Sequence, residues 1–395
     1  MTVLVIGQIP PPVNGQSLMI KAFLDGHYDS LKLVHVPMRF SRSTSEIGSF
    51  SLRKLLVLMA ILLEIIAKRF SSGATILYYP PAGANLTPVL RDLFLLIPTR
   101  FLFGYTVFHF HAAGLSGIYS RLPRVLRPLY RLAYNDPDLA IFTTAATSAE
   151  SQSLRAKRSA IIPCGIPDNA LETTVRSDPA TKVPSILFAG ILCEEKGVLV
   201  LLEACRQLTS DGLRFHLTCI GAFQSADFKI KVEALLKQEG LEEFVHFPGV
   251  ITGKPKDELF SRSDIFCFPS HYPAESFGVV LIEAMSFSLP IVATDWQGIP
   301  EVVGQSSDKA NPPGALLVPP RDAPAVAAAL GQLIRSPQLR SSMGKHNRAR
   351  YLEHFTLAKY RSNLETALTD ISADTCQTAS RTSSTYAQEP MKKMS

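Results

Sequence analysis

The sequence predicts an α/β protein of two doubly wound parallel-sheet domains in series. Three observations carry this expectation. Apolar, β-rich runs alternate with amphipathic helical stretches along the chain. The alternation stops once, near residues 163–184, and then restarts. A chain of 395 residues also exceeds what one hydrophobic core usually supports.

In the first half, strand-like runs fall at 2–7, 74–79, 104–110, 139–143 and 159–162, with helical patterns at 15–25, 53–70, 118–134 and 147–157. Pro163, Gly165 and Pro167 then crowd together, and 167–184 is polar without a period, which reads as an interdomain linker. Strands follow at 185–190, 215–221, 244–248, 264–268, 290–294 and 315–318. Helices at 197–209, 227–239, 255–262 and 278–287 separate the first five of these, and three more near 322–335, 338–353 and 356–371 end the ordered chain. The expected division is residues 1–166 and 167–371, with the last helices crossing back, and a disordered tail over 372–395, rich in Ser, Thr, Gln and Lys. Sheets of this kind bind ligands outside the carboxyl ends of their strands, so the two should face a central cleft.

Composition narrows the function. Hydrophobic residues make up 46% and charged residues 19%, as in globular proteins rather than disordered or fibrous chains. Cys164, Cys193, Cys205, Cys219, Cys267 and Cys376 form no CxxC pair, and are expected to be buried thiols in a reducing compartment. MTVLVIGQIPPPVNG lacks a basic leader and reads as a buried first strand, so a cytoplasmic location is expected. The apolar stretches 55–67 and 94–103 are shorter than the ~20 residues of a spanning helix. Charge is uneven: residues 1–170 hold 17 Lys/Arg against 9 Asp/Glu, and the remainder 23 against 25. No nucleic-acid motif accompanies the basic residues. Arg53, Lys54, Lys68 and Arg69 flank one apolar helix, and Arg121, Arg124, Arg127 and Arg131 line another, so the partner they suggest is an anionic membrane surface.

The densest chemical signal is DIFCFPSHYPAESFGVVLIEAMSFSLPIVATDWQGIPEVV, residues 264–303. A strand ends at Pro269-Ser270, a loop leads to Glu275-Ser276-Phe277-Gly278, and a helix beginning near Gly278 and Val279 carries Glu283. Free amides and the positive dipole end of that helix suit a diphosphate, and glycine lets the backbone come close. Glu275 can reach past the phosphates, and Glu283, about one and a half turns inside the helix, can accept from a vicinal diol such as ribose.

Glu275 and Glu283 have seven residues between them, and with the flanks PS, ESFG, EAM, LPIVAT and GIPE the segment resembles the E-x7-E signature of GT-B retaining glycosyltransferases, family 4 type, the glycosyl transferases group 1. FAGILCEEKGVLVLLEAC (188–205) is similar to that family's second-domain opening, where a lysine before a glycine contacts the donor phosphates, here Lys196-Gly197. Residues 2–24 resemble its N-terminal glycine-rich turn, with Gly15 approaching the donor. FHFHAAG (108–114) resembles the strand ending in an active-site histidine, here His111. Ile191, Ser288 and Gln297 depart from an arginine and two glycines common in the family, and Cys164 from an asparagine.

The resemblance implies a GT-B fold of two Rossmann-like domains, the first holding a sugar or lipid-linked acceptor and the second a UDP- or GDP-linked sugar. It implies a hexosyltransferase acting with retention of configuration in polysaccharide or glycolipid synthesis. The residues themselves show no evident covalent nucleophile and suggest no cofactor, and with fixed positive charge at Lys196 and the helix start near Gly278 but no clustered carboxylates, no metal is expected. His111 and Glu275 become the catalytic candidates. The donor-binding candidates are Gly15, Lys196, Glu275, Ser276, Phe277, Gly278, Val279 and Glu283. A nucleotide-sugar 2-epimerase of the same fold and a non-catalytic donor-binding scaffold are the alternatives. Asp136-Pro137-Asp138 spells D-x-D, which binds metal in another glycosyltransferase fold; between a helix and a strand it is read here as a turn. GQIPPPVNG is not GxGxxG, which argues against a nicotinamide enzyme.

Overall fold

A computed structural model describes residues 1–38, 52–81, 83, 85–148, 150–172, 183–304 and 314–385. The first sheet is built from β1 (Thr2–Gly7), α1 (Gly15–Leu24), β2 (Lys32–Pro37), α2 (Leu52–Ser72), β3 (Ile76–Tyr79), α3 (Leu86–Thr99), β4 (Tyr105–Phe110), α4 (Leu115–Arg121), α5 (Arg127–Tyr134), β5 (Leu139–Phe142), α6 (Ala145–Ser148), α7 (Glu150–Leu154) and β6 (Ser159–Ile161). Its strand order is β2-β1-β3-β4-β5-β6, all parallel.

The second comprises β7 (Ser185–Ala189), α8 (Val198–Ser210), β8 (His216–Ile220), α9 (Ala226–Gln238), β9 (Val245–Gly249), α10 (Lys254–Arg262), β10 (Ile265–Phe268), α11 (Val279–Ser286), β11 (Ile291–Thr294), α12 (Ile299–Val303), β12 (Ala315–Val318), α13 (Ala323–Arg335) and α14 (Pro337–His354). Its order is β12-β11-β10-β7-β8-β9, again parallel. The doubly wound expectation therefore holds, with strand order reversing between β1 and β3 in one sheet and between β7 and β10 in the other. Those reversals are where such sheets open a crevice for ligands.

Both faces of the first sheet are buried, which is why its strands read as continuous apolar runs. Val3 and Val5 face one cluster with Met19, Ile20 and Phe23 of α1. Leu4 and Ile6 face the other, beneath α2, α3 and α5. The helix α15 (Leu357–Thr385) completes the first cluster with Tyr360, Leu364 and Leu368. Arg361 donates to the Ala22 carbonyl (2.9 Å), and Glu365 accepts from the Ser30 amide (2.9 Å). The last helix thus covers α1 of the first sheet.

Several elements differ from the sequence reading. β2 and α3 are additional. β2 is an edge strand carrying Lys32, His35 and Pro37, so it shows no apolar run. In α3, Pro98 and the Arg91-Asp92 pair mask the helical pattern. The helix expected over 118–134 is two, because Pro123 breaks it, while Pro128 sits in the first turn of the second. α15 runs past Ser372 to Thr385, into the stretch expected as a tail, and residues 386–395 lie outside the described residues. So does most of the expected linker, 173–182. No helix of the described residues is long and apolar enough to cross a membrane. Five cysteines are free and buried; the side chain of Cys376 is outside the described set.

Candidate functional site

The site is assembled from chain segments that leave the carboxyl ends of the strands. After β7 the chain turns through Lys196 and Gly197 into α8. Gly197 has φ 80°, and a Cβ there would lie 2.1 Å from the Pro269 carbonyl oxygen, so only glycine lets the two loops meet. That approach brings the Lys196 ammonium onto Glu275. The pair is only 15% and 10% exposed, Ser270 Oγ also donates to Glu275 (3.0 Å), and the ammonium rests over the rings of Phe268 and Tyr272.

Eight residues further on, Glu283 meets a cation that the sequence reading did not single out. Lys256, in the first turn of α10, donates to both Glu283 oxygens at 2.7 and 2.8 Å. The pair is 22% and 20% exposed. Lys256 sits in a charge-rich helix start, KPKDE, where nothing local separates it from an ordinary solvated lysine. Only the tertiary fold reveals its partner.

Between these pairs stands the start of α11. Gly278 caps it in the left-handed region (φ 75°), with no side-chain cap. The Leu281 amide bonds back to the Gly278 carbonyl, leaving the amides of Val279 and Val280 outside the helical ladder. Phe277 is buried edge-on to Phe355, so its ring serves packing and only its backbone faces the site.

The first sheet's rim lies directly opposite. Asn14 and Ser17 form a reciprocal cap that fixes the start of α1. A Cβ on Gly15 would sit 3.4 Å from Val279 Cγ2. Ser276 Oγ donates to the His111 carbonyl (2.7 Å), and Thr144 Oγ1 to the Ser276 carbonyl (3.2 Å). Glu301 accepts from the amides of Ala145 and Ala146 (2.7 and 3.1 Å), clamping the start of α6. In the same GIPE string, Gly298 lies where a Cβ would come within 2.1 Å of the Ser276 carbonyl oxygen. The structure thus brings Gly15, His111, Lys196 and the segment 275–279 together. Glu283 lies one to two turns along α11.

His111 is half-buried, yet its Nε2 is enclosed without a partner. Burial holds its pKa down at about 3, so it is neutral at physiological pH. His109 lies beneath it, ring centroids 4.0 Å apart, hydrogen-bonded through Nδ1 to the Tyr78 hydroxyl. Burial first, and the His111 neighbour second, lower its pKa as well.

Asp136 and Asp138 are structural. Asp136 adopts φ 56° and pairs with Arg155. Asp138 accepts from the Thr106 amide and pairs with Lys157, pinning β4 to β5. Ser288 and Gln297, where the resemblance leads one to expect glycine, do adopt the left-handed conformation, with φ 56° and 51°.

This pair of parallel six-stranded sheets, with the loops at their strands' carboxyl ends in contact, is a GT-B-like architecture. Sucrose-phosphate synthase from Thermosynechococcus elongatus superimposes with TM-score 0.70 at 18% identity, covering 94% of this chain and 99% of that one. HepE from Anabaena, solved in complex with UDP, superimposes with TM-score 0.70 at 16% identity, covering 94% and 100%. Residues 172–350 match the model of the family described as Glycosyl transferases group 1, so this stretch is a glycosyl transferases group 1 domain. Curated relatives include the putative colanic acid biosynthesis glycosyltransferase WcaL of Escherichia coli, 29% identical over 70% of this chain and 66% of that protein. The amylovoran biosynthesis glycosyltransferase AmsK of Erwinia amylovora is 29% identical over 73% and 67%. The aligned part therefore spans about two thirds of these relatives' length.

Proposed function

We propose that this protein is a retaining hexosyltransferase that moves a sugar from a UDP- or GDP-linked donor to a hydroxyl of a sugar or lipid-linked acceptor in polysaccharide or glycolipid synthesis. The observation that carries the reading is the enclosed Lys196–Glu275 pair beside the open amides of α11, facing the neutral His111 across the cleft. Residues 1–166 would bind the acceptor and 167–371 the donor. The relatives named as polysaccharide glycosyltransferases support this over an epimerase or a scaffold.

Breaking a glycosidic phosphate bond develops positive charge on the sugar and negative charge on the departing diphosphate. Lys196 and the amides of Val279 and Val280 would meet the latter; a lysine has three donors, so it can hold Glu275 and a phosphate oxygen at once. Glu283, oriented by Lys256, keeps lone pairs for two ribose hydroxyls. Glu275 would hold sugar hydroxyls, and His111, as a neutral imidazole, would hydrogen-bond sugar or acceptor.

Because fixed positive charge already faces the leaving group, transfer is expected to need no divalent metal. A thermal-shift panel of nucleotide-sugars identifies the donor, since bound ligand stabilises by mass action. Transfer to an acceptor in excess EDTA should then persist, while Lys196→Ala slows it at least ~10-fold. No stabilisation by any nucleotide-sugar overturns donor binding. Donor turnover without acceptor means an epimerase, binding without any transfer means a scaffold, and EDTA loss rescued by magnesium overturns metal independence.

A further inference from the structure

α2 is apolar on two faces. Ile61 and Ile65 point into the first sheet's core. The opposite stripe, Leu56, Met59, Ala60, Leu63, Ala67 and Phe70, is exposed and contains no polar side chain; Leu56, Leu63 and Phe70 are 65%, 60% and 68% exposed. At ~100° per residue these six positions fall within a band about 100° wide, along a helix about 30 Å long. An amphipathic surface helix would place its charges there.

The stripe continues sideways. α3 packs against both α2 and α5. It adds Leu86 and Leu90, and the turn after it adds Phe101. The α5 region adds Val125 (78% exposed), Leu129 and Leu132 at helical spacing. A contiguous apolar layer of this extent marks an interaction surface rather than scattered surface leucines.

Charge identifies the occupant. Residues 52–135 contain ten Lys/Arg and only two Asp/Glu. Of the acids, Asp92 is fully buried and Glu64 is paired with Lys68. Some cations are internally committed: Arg100 to the carbonyls of 132, 133 and 135, and Arg91 to Asp92. Arg121, Arg124 and Arg131 are exposed beside Val125, Leu129 and Leu132, and the side chains of Arg53 and Lys54 lie outside the described residues. A second copy of the chain would set like charges against each other across an isologous contact. A surface that takes up leucine and phenylalanine and rewards arginine is an anionic lipid interface.

We propose that the α2–α3–α5 layer lies flat on an anionic bilayer, with α2 parallel to the membrane plane and the arginines around α5 among the headgroups. α2 and α3 begin beyond the carboxyl ends of β2 and β3, the edge that faces the cleft. Docked this way, the acceptor side of the cleft opens near the lipid surface. This deepens the functional reading above, since it names where a lipid-linked acceptor would come from, but its test is independent of catalysis.

The full-length chain is sedimented with vesicles of phosphatidylcholine alone and with added phosphatidylglycerol, at low and high salt. The expected result is at least ~10-fold stronger partition onto the anionic vesicles, weakened by salt. Leu56→Glu/Leu63→Glu should remove at least ~10-fold of that partition, and Arg124→Glu/Arg131→Glu a comparable amount, with unchanged thermal midpoints and unchanged stabilisation by nucleotide-sugar. Wild-type protein remaining in the supernatant with anionic vesicles at low salt overturns the proposal. So does binding that both variants retain, because it then occurs elsewhere. Concentration-dependent dimerisation abolished by the leucine variant would make the face a self-association surface instead. Loss of nucleotide-sugar binding in the wild type would break the functional reading and leave the vesicle result standing.

Discussion

On the first-sheet rim of the cleft, Gly15 and the imidazole of His111 carry no charge at neutral pH; on the second-sheet rim, Lys196, Glu275, Lys256 and Glu283 stand in two pairs. Both rims enclose ionisable groups, and burial penalises the charged form on both. The first avoids the penalty by keeping its histidines neutral, the second by giving each carboxylate a lysine. The difference teaches which rim can respond to a polyanion. Paired charges can be re-partnered by a phosphate or a diol, whereas an imidazole held neutral offers only a directional hydrogen bond.

Acid should act on the neutral rim most strongly. His109 and His111 have depressed pKa values in the folded state, so the unfolded chain takes up their protons first as pH falls. Their stabilising effect is complete above pH ~6.5 and declines below it, by about 1.4 kcal/mol per pH unit for each residue. His111, held at about 3, should by itself remove about 2 kcal/mol between pH 6.5 and 4.5, and His109 acts in the same direction. Urea unfolding across that range measures the slope, and His111→Gln should flatten it. An unchanged slope would mean that the rim tolerates charge.

The more enclosed pair should dominate turnover. Glu275→Ala is expected to lower kcat ~100-fold, about 2.7 kcal/mol, with donor affinity nearly unchanged. The outer pair should behave in reverse: Glu283→Ala weakens donor binding ~10-fold by calorimetry while kcat holds. Lys256→Met leaves the carboxylate in place without its anchor, and should weaken donor binding only ~3-fold. If the two glutamates respond alike in kcat and affinity, the division of labour between the pairs is wrong.

The smallest effect concerns backbone. Gln297 holds φ 51° just before the loop that carries Gly298 and Glu301 to the opposite rim. Gln297→Gly should relieve a left-handed penalty of about 1 kcal/mol, partly offset by glycine's unfolded-state entropy. A net gain of about 0.5 kcal/mol in urea unfolding is expected. A loss instead would mean that the Gln297 side chain contributes more than its conformation costs.

The sequence makes the second sheet more legible than the first. Its inner strands β11, β10 and β7 are buried apolar runs, Glu275 and Gly278 sit in one string and Lys196 in another, and the turn chemistry of each is local. β2 is hidden because an edge strand mixes Lys32 and His35 into its pattern, and α3 because Asp92 interrupts its apolar face while being fully buried against Tyr79 and Tyr134. Lys256 and Glu301 are missed for another reason. Each acts on a partner 27 to 156 residues away, and no spacing in the sequence encodes such a meeting. The sequence marks the acid partner of Lys196 as a site residue, but the ion pair joining them belongs to the fold alone.

The return of α15 onto α1 bears on how the polypeptide is made. Met19, Ile20 and Phe23 are covered by Tyr360, Leu364 and Leu368, and Tyr360 also reaches the Met19 carbonyl. During synthesis α1 emerges more than three hundred residues before that cover exists. Until then its α1 face is open apolar surface, a substrate for chaperones and a nucleus for aggregation. The second sheet, by contrast, can close over its own helices as they leave the ribosome. The earliest part of the chain is therefore the last to be sealed, and cutting α15 away should impair the stretch furthest from it in sequence.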